Sequence, residues 1–379
     1  MKNGHHKAND RVRYAVVGLG HIAQAAVLPA FKHAKENSVL TALVSDDPVK
    51  RQELGKKYGV PRTYSYDQFE QCVNSDEVDA VYIALPNHLH CEFALRTFDA
   101  GRHVLCEKPM AVTETDCRRM IAAAADRHAR LMIAYRLHFE EANLEAIAIG
   151  RSGQLGELRY FSSDFSMQVK PGDIRVKSEL GGGTLYDIGV YCINAARCLF
   201  HAEPVEVFAQ ARSGSDSRFH DVEEMVAATL RFPGERLASF TCSFGAADVS
   251  SYRLVGTKGD LALDPAYGYA GKLARSLTID GKTVKKVFSK RDQFAAELIH
   301  FSDCVLNGRS PEPGGLEGLA DVRVIEALYR SAAENRPVVI EPVSGLTRPS
   351  LAQQIHKPPV KQPELVHAAS PHADHPDGQ

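Results

Sequence analysis

From Arg11 to Tyr135 the chain repeats one pattern: a short apolar run, a turn, then a stretch with helical periodicity. The apolar runs at residues 13–17, 39–44, 80–84, 103–106 and 130–134 read as strands. Helical segments between consecutive strands make the connections crossovers, so the expected sheet is parallel and covered on both faces. One helix is expected to start near His21. Another is expected from Thr113, which has Asp116 three residues on in a capping-box spacing, through Met120 to His128.

Beyond Tyr135 the texture changes. A helical stretch around residues 140–149 precedes β-rich segments at 158–167, 205–212, 225–232, 236–244 and 251–263. Their connections are turn-like, with Pro233-Gly234, Gly256-Thr257-Lys258-Gly259 and Gly281. Strand following strand implies an antiparallel sheet, and the second part reads as α+β. Helices at 183–200, 292–307 and 316–335 are expected to cover one of its faces. The resulting division is a polar N-terminal segment (1–11), a parallel-sheet α/β domain (12–135), an α+β domain (136–345) and a tail (346–379). From Arg348 the tail holds six prolines, four histidines and little periodicity, and is expected to be disordered.

A chain of 379 residues exceeds what one hydrophobic core usually serves, in keeping with two domains. The formal charge is −2 and no strong basic block is present, which argues against nucleic acid or an anionic membrane as partner. No apolar run reaches the length of a membrane span. The N-terminus lacks the apolar core of a secretory signal, and the eight cysteines include no Cys-x-x-Cys pair; free buried thiols in the cytoplasm are expected. Neither His5-His6 nor the irregularly spaced tail histidines imply a metal, and none is expected.

Three segments carry chemistry. Val17-Gly18-Leu19-Gly20-His21-Ile22-Ala23 follows the first strand and opens a helix. Gly18 permits the tight turn, Gly20 lets backbone approach a pyrophosphate, and the helix start supplies N–H donors and a positive dipole end. The other reading is a purely structural turn. At the end of the second strand, Ser45 with Lys50 and Arg51 suits a ribose 2′-phosphate. Asp46 and Asp47 would repel that phosphate, or are simply a solvated turn before Pro48. NADP is favoured over NAD.

Leu85-Pro86-Asn87-His88-Leu89-His90 and Cys106-Glu107-Lys108-Pro109 follow the third and fourth strands, at carboxyl ends where open α/β sheets bind ligands. Lys108 at such a rim can bond a substrate hydroxyl and stabilise its anion, or it is a surface lysine in a turn. In Gly181-Gly182-Gly183-Thr184-Leu185-Tyr186-Asp187-Ile188-Gly189-Val190-Tyr191, Asp187 and Tyr191 share a helix face at i, i+4. A tyrosine beside a lysine makes an acid/base pair. On residue type alone, Tyr191 reads more readily as a packed aromatic than as a catalyst.

Together these segments resemble the glucose–fructose oxidoreductase / inositol dehydrogenase / rhizopine catabolism family, over residues 12 to about 339. Within it, Leu28-Pro29-Ala30-Phe31, Tyr135-Arg136-Leu137-His138-Phe139 and 264–269 are similar to the glucose–fructose oxidoreductase branch. The resemblance implies a Rossmann domain followed by an open-faced, mainly antiparallel sheet whose outer face mediates homodimers or homotetramers. It implies that Gly18, Gly20, His21 and Ile22 cradle the pyrophosphate, and that Ser45 and Lys50 hold the 2′-phosphate. Pro86, Asn87 and His90 would line the nicotinamide, with Glu107 and Lys108 bridging the ribose and the reacting carbon. Tyr191 would be the general acid/base and Asp187 would bind a sugar hydroxyl. Arg136, Arg175 and Tyr269 are further candidates for the cofactor or sugar pocket, and Ile174 stands where the branch has Trp. The implied reaction is NADP-dependent oxidation of a cyclic aldose at C1 to an aldonolactone by hydride transfer, coupled or not to reduction of a second sugar. A conventional NAD(P)-dependent sugar dehydrogenase or reductase, and a catalytically idle sensor of cofactor or sugar, are the competing readings.

Overall fold

The structure is a computed structural model and describes residues 11–372. The expected polar segment with His5 and His6, and the end of the tail beyond His372, lie outside the described residues. The five expected strands form β1 (Val12–Val17), β2 (Ser38–Val44), β4 (Ala80–Ile83), β5 (His103–Glu107) and β6 (Leu131–Ala134). A short β3 (Arg62–Tyr64), too exposed and too brief to be read from pattern, pairs with β2. The sheet is wholly parallel, in the order β3-β2-β1-β4-β5-β6. Strand order reverses between β1 and β4, and the crevice at that switch point is where such sheets take ligands. Thr113 caps the helix Glu114–Asp126 by accepting from Asp116 N.

The second sheet has nine strands: β7 (Leu158–Gln168), β8 (Glu206–Arg212), β9 (Met225–Phe232), β10 (Arg236–Ser243), β11 (Gly245–Gly256), β12 (Gly259–Leu263), β13 (Leu273–Ile279), β14 (Lys282–Phe288) and β15 (Val338–Val339). Their order is β14-β13-β12-β11-β7-β10-β9-β8-β15, antiparallel throughout except between β7 and β10. The β13–β14 hairpin turns at Asp280-Gly281, both at positive φ, a turn twist that matches paired strands. Only its turn was legible, because β14 is mostly exposed and Lys-rich. Helices Val190–Phe200 and Gly315–Glu334 bury their apolar faces against one side of the sheet. The other side is open: Tyr160 and Leu237, opposite each other in register, are 47% and 48% exposed.

Two expectations are corrected. The helix Gln293–Leu306 does not cover the second sheet; it returns to the first, where Phe294, Leu298 and Phe301 join Val12, Val16 and Leu43 in one apolar cluster. Tyr14 and Ser302 hydroxyls meet there at 2.7 Å. Periodicity identifies a buried face but not the surface that buries it. The tail, expected to be disordered, is laid along the molecule over residues 348–372. Lys357 O accepts from Asp292 N, and Ile355 and Val366 pack on the first-sheet cluster. Its backbone is held by side chains and carbonyls of other segments, a mode with no period to read.

All eight cysteines are free and buried. Under the second domain lies a buried charge network: Arg197, with no exposure, pairs with Glu203 (2.8 Å), Glu317 (2.9 Å) and Asp321. His138, Cys198 and Glu317 present ligand-type atoms within 4.8 Å of one another, yet Arg197 and Arg348 already occupy Glu317. Removing one member of a buried ion network strands its partners without water. Arg197→Met is therefore expected to cost about 3–5 kcal/mol in urea unfolding. A loss under 1 kcal/mol would show that the network adds little to stability.

Candidate active site

At the switch point Gly18 takes φ +87°, and its N–H donates to Val44 O. A side chain there would put Cβ 2.4 Å from Ala84 O, so only glycine lets the β1 and β4 loops approach. Gly20 is different: a Cβ added to it meets nothing within 4 Å. Open space therefore lies directly above the turn. The next helix makes its first bond from Gln24 N to Gly20 O, leaving the preceding amides as free donors at a positive dipole end. A π-wound stretch, Ala23–Val27, follows. Burial, then the nearby Arg175 and His372, pulls the His21 imidazole down to about 4, so it is neutral at ordinary pH. The turn has the open space and the donors that a pyrophosphate requires.

At the end of β2, Ser45 is buried and its Oγ accepts from Asp47 N at 3.3 Å. The two aspartates that clouded the sequence both have structural partners. Asp46 accepts from Tyr66 N (2.7 Å), and Asp47 caps the helix Pro48–Tyr58 through Val49 N (2.9 Å) and Lys50 N (3.1 Å). Arg51 donates to Ser45 O, and Lys50, in the first turn of that helix, has no ion pair among the described residues.

On the opposite rim, Asn87 Nδ2 donates to Gly181 O (2.8 Å) and ties the β4 loop to the glycine-rich segment. His90 does not line the crevice. It is fully buried, with Nδ1 and Nε2 each 2.9 Å from the carbonyls of Pro109 and Leu85, so it holds the two rim loops in place rather than touching ligand. Glu107 is buried, accepts from Tyr82 OH (2.8 Å) and is pushed up by burial against the opposing charge of Lys108. Its carboxyl faces inward, below the rim.

The glycine-rich segment ends in the π-wound turn Leu185–Gly189, which continues into the helix Val190–Phe200. Such single π-turns recur at functional sites. Within this one Asp187 O accepts from Lys108 Nζ at 2.7 Å, with Asp187 Oδ1 3.2 Å from the same nitrogen. Asp187 Oδ2 takes Arg175 Nε at 2.7 Å, and Asp173 Oδ1 receives Arg175 Nη1 at 3.2 Å. Burial would raise the Asp187 carboxyl, but the two cations outweigh it and hold it well below the usual range. Burial likewise opposes the Lys108 charge, yet Asp187, with Tyr191 and Glu107, keeps the ammonium above its ordinary value. Both groups are ionised.

Lys108 Nζ lies 4.9 Å from the centre of the Tyr191 ring, and Arg136 Cζ lies 5.0 Å from it. Arg136 itself is buried, bonds Gln293 Oε1 (2.6 Å) and Tyr267 O, and also stacks on Tyr269. It acts as a wedge between aromatics, with two of its guanidinium nitrogens bonded to protein oxygens. Phe165 and Tyr267 pack the ring of Tyr191 from behind. Among the described residues the Tyr191 hydroxyl has no hydrogen-bond partner. Lys108, Asp187, Arg175 and Tyr191 thus meet at one place beside the glycine turn. Sequence reading passed over Asp173, Tyr82 and Gln24; each acts through another residue and belongs to no motif.

Comparison with known proteins fits this arrangement. Residues 12–135 match the model of the GFO/IDH/MocA oxidoreductase family with NAD-binding Rossmann fold, and 144–262 match the GFO/IDH/MocA C-terminal domain. The chain belongs to the GFO/IDH/MocA family. Among solved structures, it is similar to an aldose–aldose oxidoreductase from Caulobacter crescentus crystallised with glycerol, at 41% identity and TM-score 0.83 over 87% of this chain and 100% of that one. It is also similar to a 3-ketoreductase from Actinomadura kijaniata in complex with NADP and TDP-benzene, at 29% identity and TM-score 0.77, covering 85% and 98%. A D-xylose 1-dehydrogenase [NADP(+)] of Haloarcula marismortui is 32% identical over 88% of this chain and 94% of its own.

The two glycines of the family turn separate fold from ligand. Gly18→Ala forces a clash and positive φ on a side chain, and is expected to lower thermal stability by about 2–4 kcal/mol or prevent folding. Gly20→Ala fills empty space, so its melting temperature should stay within about 2 °C of wild type while dinucleotide affinity, read by titration calorimetry, falls. Equal loss of stability in both would refute this division.

Proposed function

We propose that this protein oxidises a cyclic aldose at its anomeric carbon to an aldonolactone, with NADP as cofactor. The observation that carries the reading is the convergence of ionised Lys108 and Asp187 on a Tyr191 with a free hydroxyl, at the rim of the open glycine turn. Relatives named for NADP-dependent xylose oxidation and for aldose–aldose oxidoreduction support it. The residues present suit NADP: the amides after Gly20 would face the pyrophosphate, and Ser45 and Lys50 the 2′-phosphate. When bound, NADP takes up the electrons lost by the sugar carbon.

The chain's own residues do the rest. Tyr191, as the phenolate that the Lys108 ammonium stabilises, takes the proton of the anomeric hydroxyl and becomes neutral. Asp187 keeps Lys108 in place, and the lone pairs left on its carboxylate accept a second sugar hydroxyl. Arg175 fixes the other carboxylate oxygen, so the sugar meets a rigid acceptor. The loss of the hydroxyl proton and the placement of the carbon are both matters of position.

A second reading is favoured by the xylose dehydrogenase relatives: a conventional dehydrogenase that releases its cofactor at each turnover. The two differ in one measurement, since an oxidoreductase converts a pair of sugars without added NADP. We assign the open face carrying Tyr160 and Leu237 to a homodimer or homotetramer contact.

Tyr191→Phe is expected to lower turnover on every accepted sugar about 10²–10⁴-fold, with cofactor binding retained in a fluorescence titration. Wild-type turnover in that variant would remove Tyr191 from the mechanism. Denaturing the purified protein is expected to release NADP(H) on chromatography; recovery of NAD instead would overturn the reading of Ser45 and Lys50.

A further inference from the structure

The chain's C-terminal segment crosses the mouth of the dinucleotide crevice. Gln24, one turn into the helix that follows the glycine motif and only 1% exposed, is the anchor. Its Nε2 donates to Leu19 O inside the turn (2.9 Å) and to Val366 O (2.8 Å), while Val366 N donates to Gln24 Oε1 (2.7 Å). A side-chain amide so paired with a backbone unit reproduces both bonds of a strand pair and grips the segment at one residue. The next residue reaches the adenosine end: His367 Nδ1 lies 2.9 Å from Asp47 Oδ2, in the loop that carries Ser45 and Lys50. The segment then passes to the second domain, where Lys170 N donates to Pro371 O (2.9 Å) and His372 bridges Val169. It therefore spans the two domains over the glycine turn.

Resting on the NADP reading above, we propose that residues 364–372 are a strap that completes the cofactor site and retains a 2′-phosphorylated dinucleotide. His367 is its specificity-determining residue. In its imidazolium form His367 donates from Nδ1 to Asp47 and from Nε2 to a 2′-phosphate, and its charge offsets the carboxylate that would otherwise repel that phosphate. The Val366–Gln24 bonds must open for a dinucleotide to leave, so they set the release rate.

Two substitutions in the full-length protein address the strap without touching the glycine turn. Val366→Pro removes the N–H donated to Gln24, and His367→Ala removes the imidazole. In the double variant, stopped-flow release of NADPH, chased with excess NADP, is expected to be about tenfold faster than in wild type. His367→Ala alone should lower the NADP-over-NAD affinity ratio about fivefold. Release within twofold of wild type, with the melting temperature preserved, would overturn the strap. Should the double variant fail to fold, hydrogen exchange of the wild-type protein decides: saturating NADP is expected to slow exchange across 364–372, and unchanged exchange there refutes the proposal. Wild-type protein that binds no NADP(H) at all would sink the NADP reading itself, whereas tight binding with strap-independent release sinks the strap alone.

Discussion

The contact on which the site depends is the one between Lys108, at the end of β5 in the first domain, and Asp187, in the π-wound turn of the second. It is a charge pair taken largely out of water, and such pairs stabilise only when every remaining donor and acceptor is used. Here they are shared out. Asp187 gives its backbone carbonyl and one carboxylate oxygen to Lys108 and the other oxygen to Arg175, and Asp173 steadies Arg175 in turn. The arrangement spans two domains because the charges belong to different ones. Removing Asp187 would leave Lys108 buried without its carboxylate, and removing Lys108 would leave Asp187 with Arg175 alone, so geometry and ionisation are fixed together.

The dinucleotide side obeys a similar constraint with backbone in place of side chains. Gly18 closes the two loops on each other, Gly20 leaves a void, and the amides at the helix start beside it have no backbone partner among the described residues. At the end of β2, two carboxylates beside the proposed phosphate site would be a repulsive pairing if they were free. Both have been put to local use, Asp46 on a backbone amide and Asp47 as a helix cap with His367 beyond it. Sequence distance to a phosphate site therefore says little about whether a carboxylate's charge reaches it; the hydrogen bonds already made decide that.

What could be read from the sequence follows the same division. The Rossmann strands are apolar on both faces and bounded by turns, so five of six were visible, and β3 was not because it is three half-exposed residues long. The segments at 225–232 and 236–244 lay within one residue of β9 and β10, since alternating burial leaves a period of two. The partner of the helix Gln293–Leu306 and the course of the tail were hidden, because both are set by contacts hundreds of residues apart, such as Gln24 with Val366. Within the site, Lys108 and Asp187 announced themselves by motif. His90 did too, but the motif carries no direction, and its ring turns inward to two carbonyls.

Tyr191 is the sharpest case. As a residue type it is a core aromatic, and its ring is indeed packed, edge-on to Phe165 and tilted against Tyr267. What separates it from a core tyrosine is the distribution of charge around it. Tyr14 and Tyr82 are also deep, and each hydroxyl has a partner that burial obliges it to find. Tyr191 has none among the described residues, while a lysine ammonium and an arginine guanidinium both lie about 5 Å from its ring centre. Two cations beside one aromatic are mutually repulsive, and the electron-rich ring between them offsets part of that cost. A fixed ring, an oxygen with no partner among the described residues and two nearby cations suit the proton acceptor proposed here, and packing supplies all three at once.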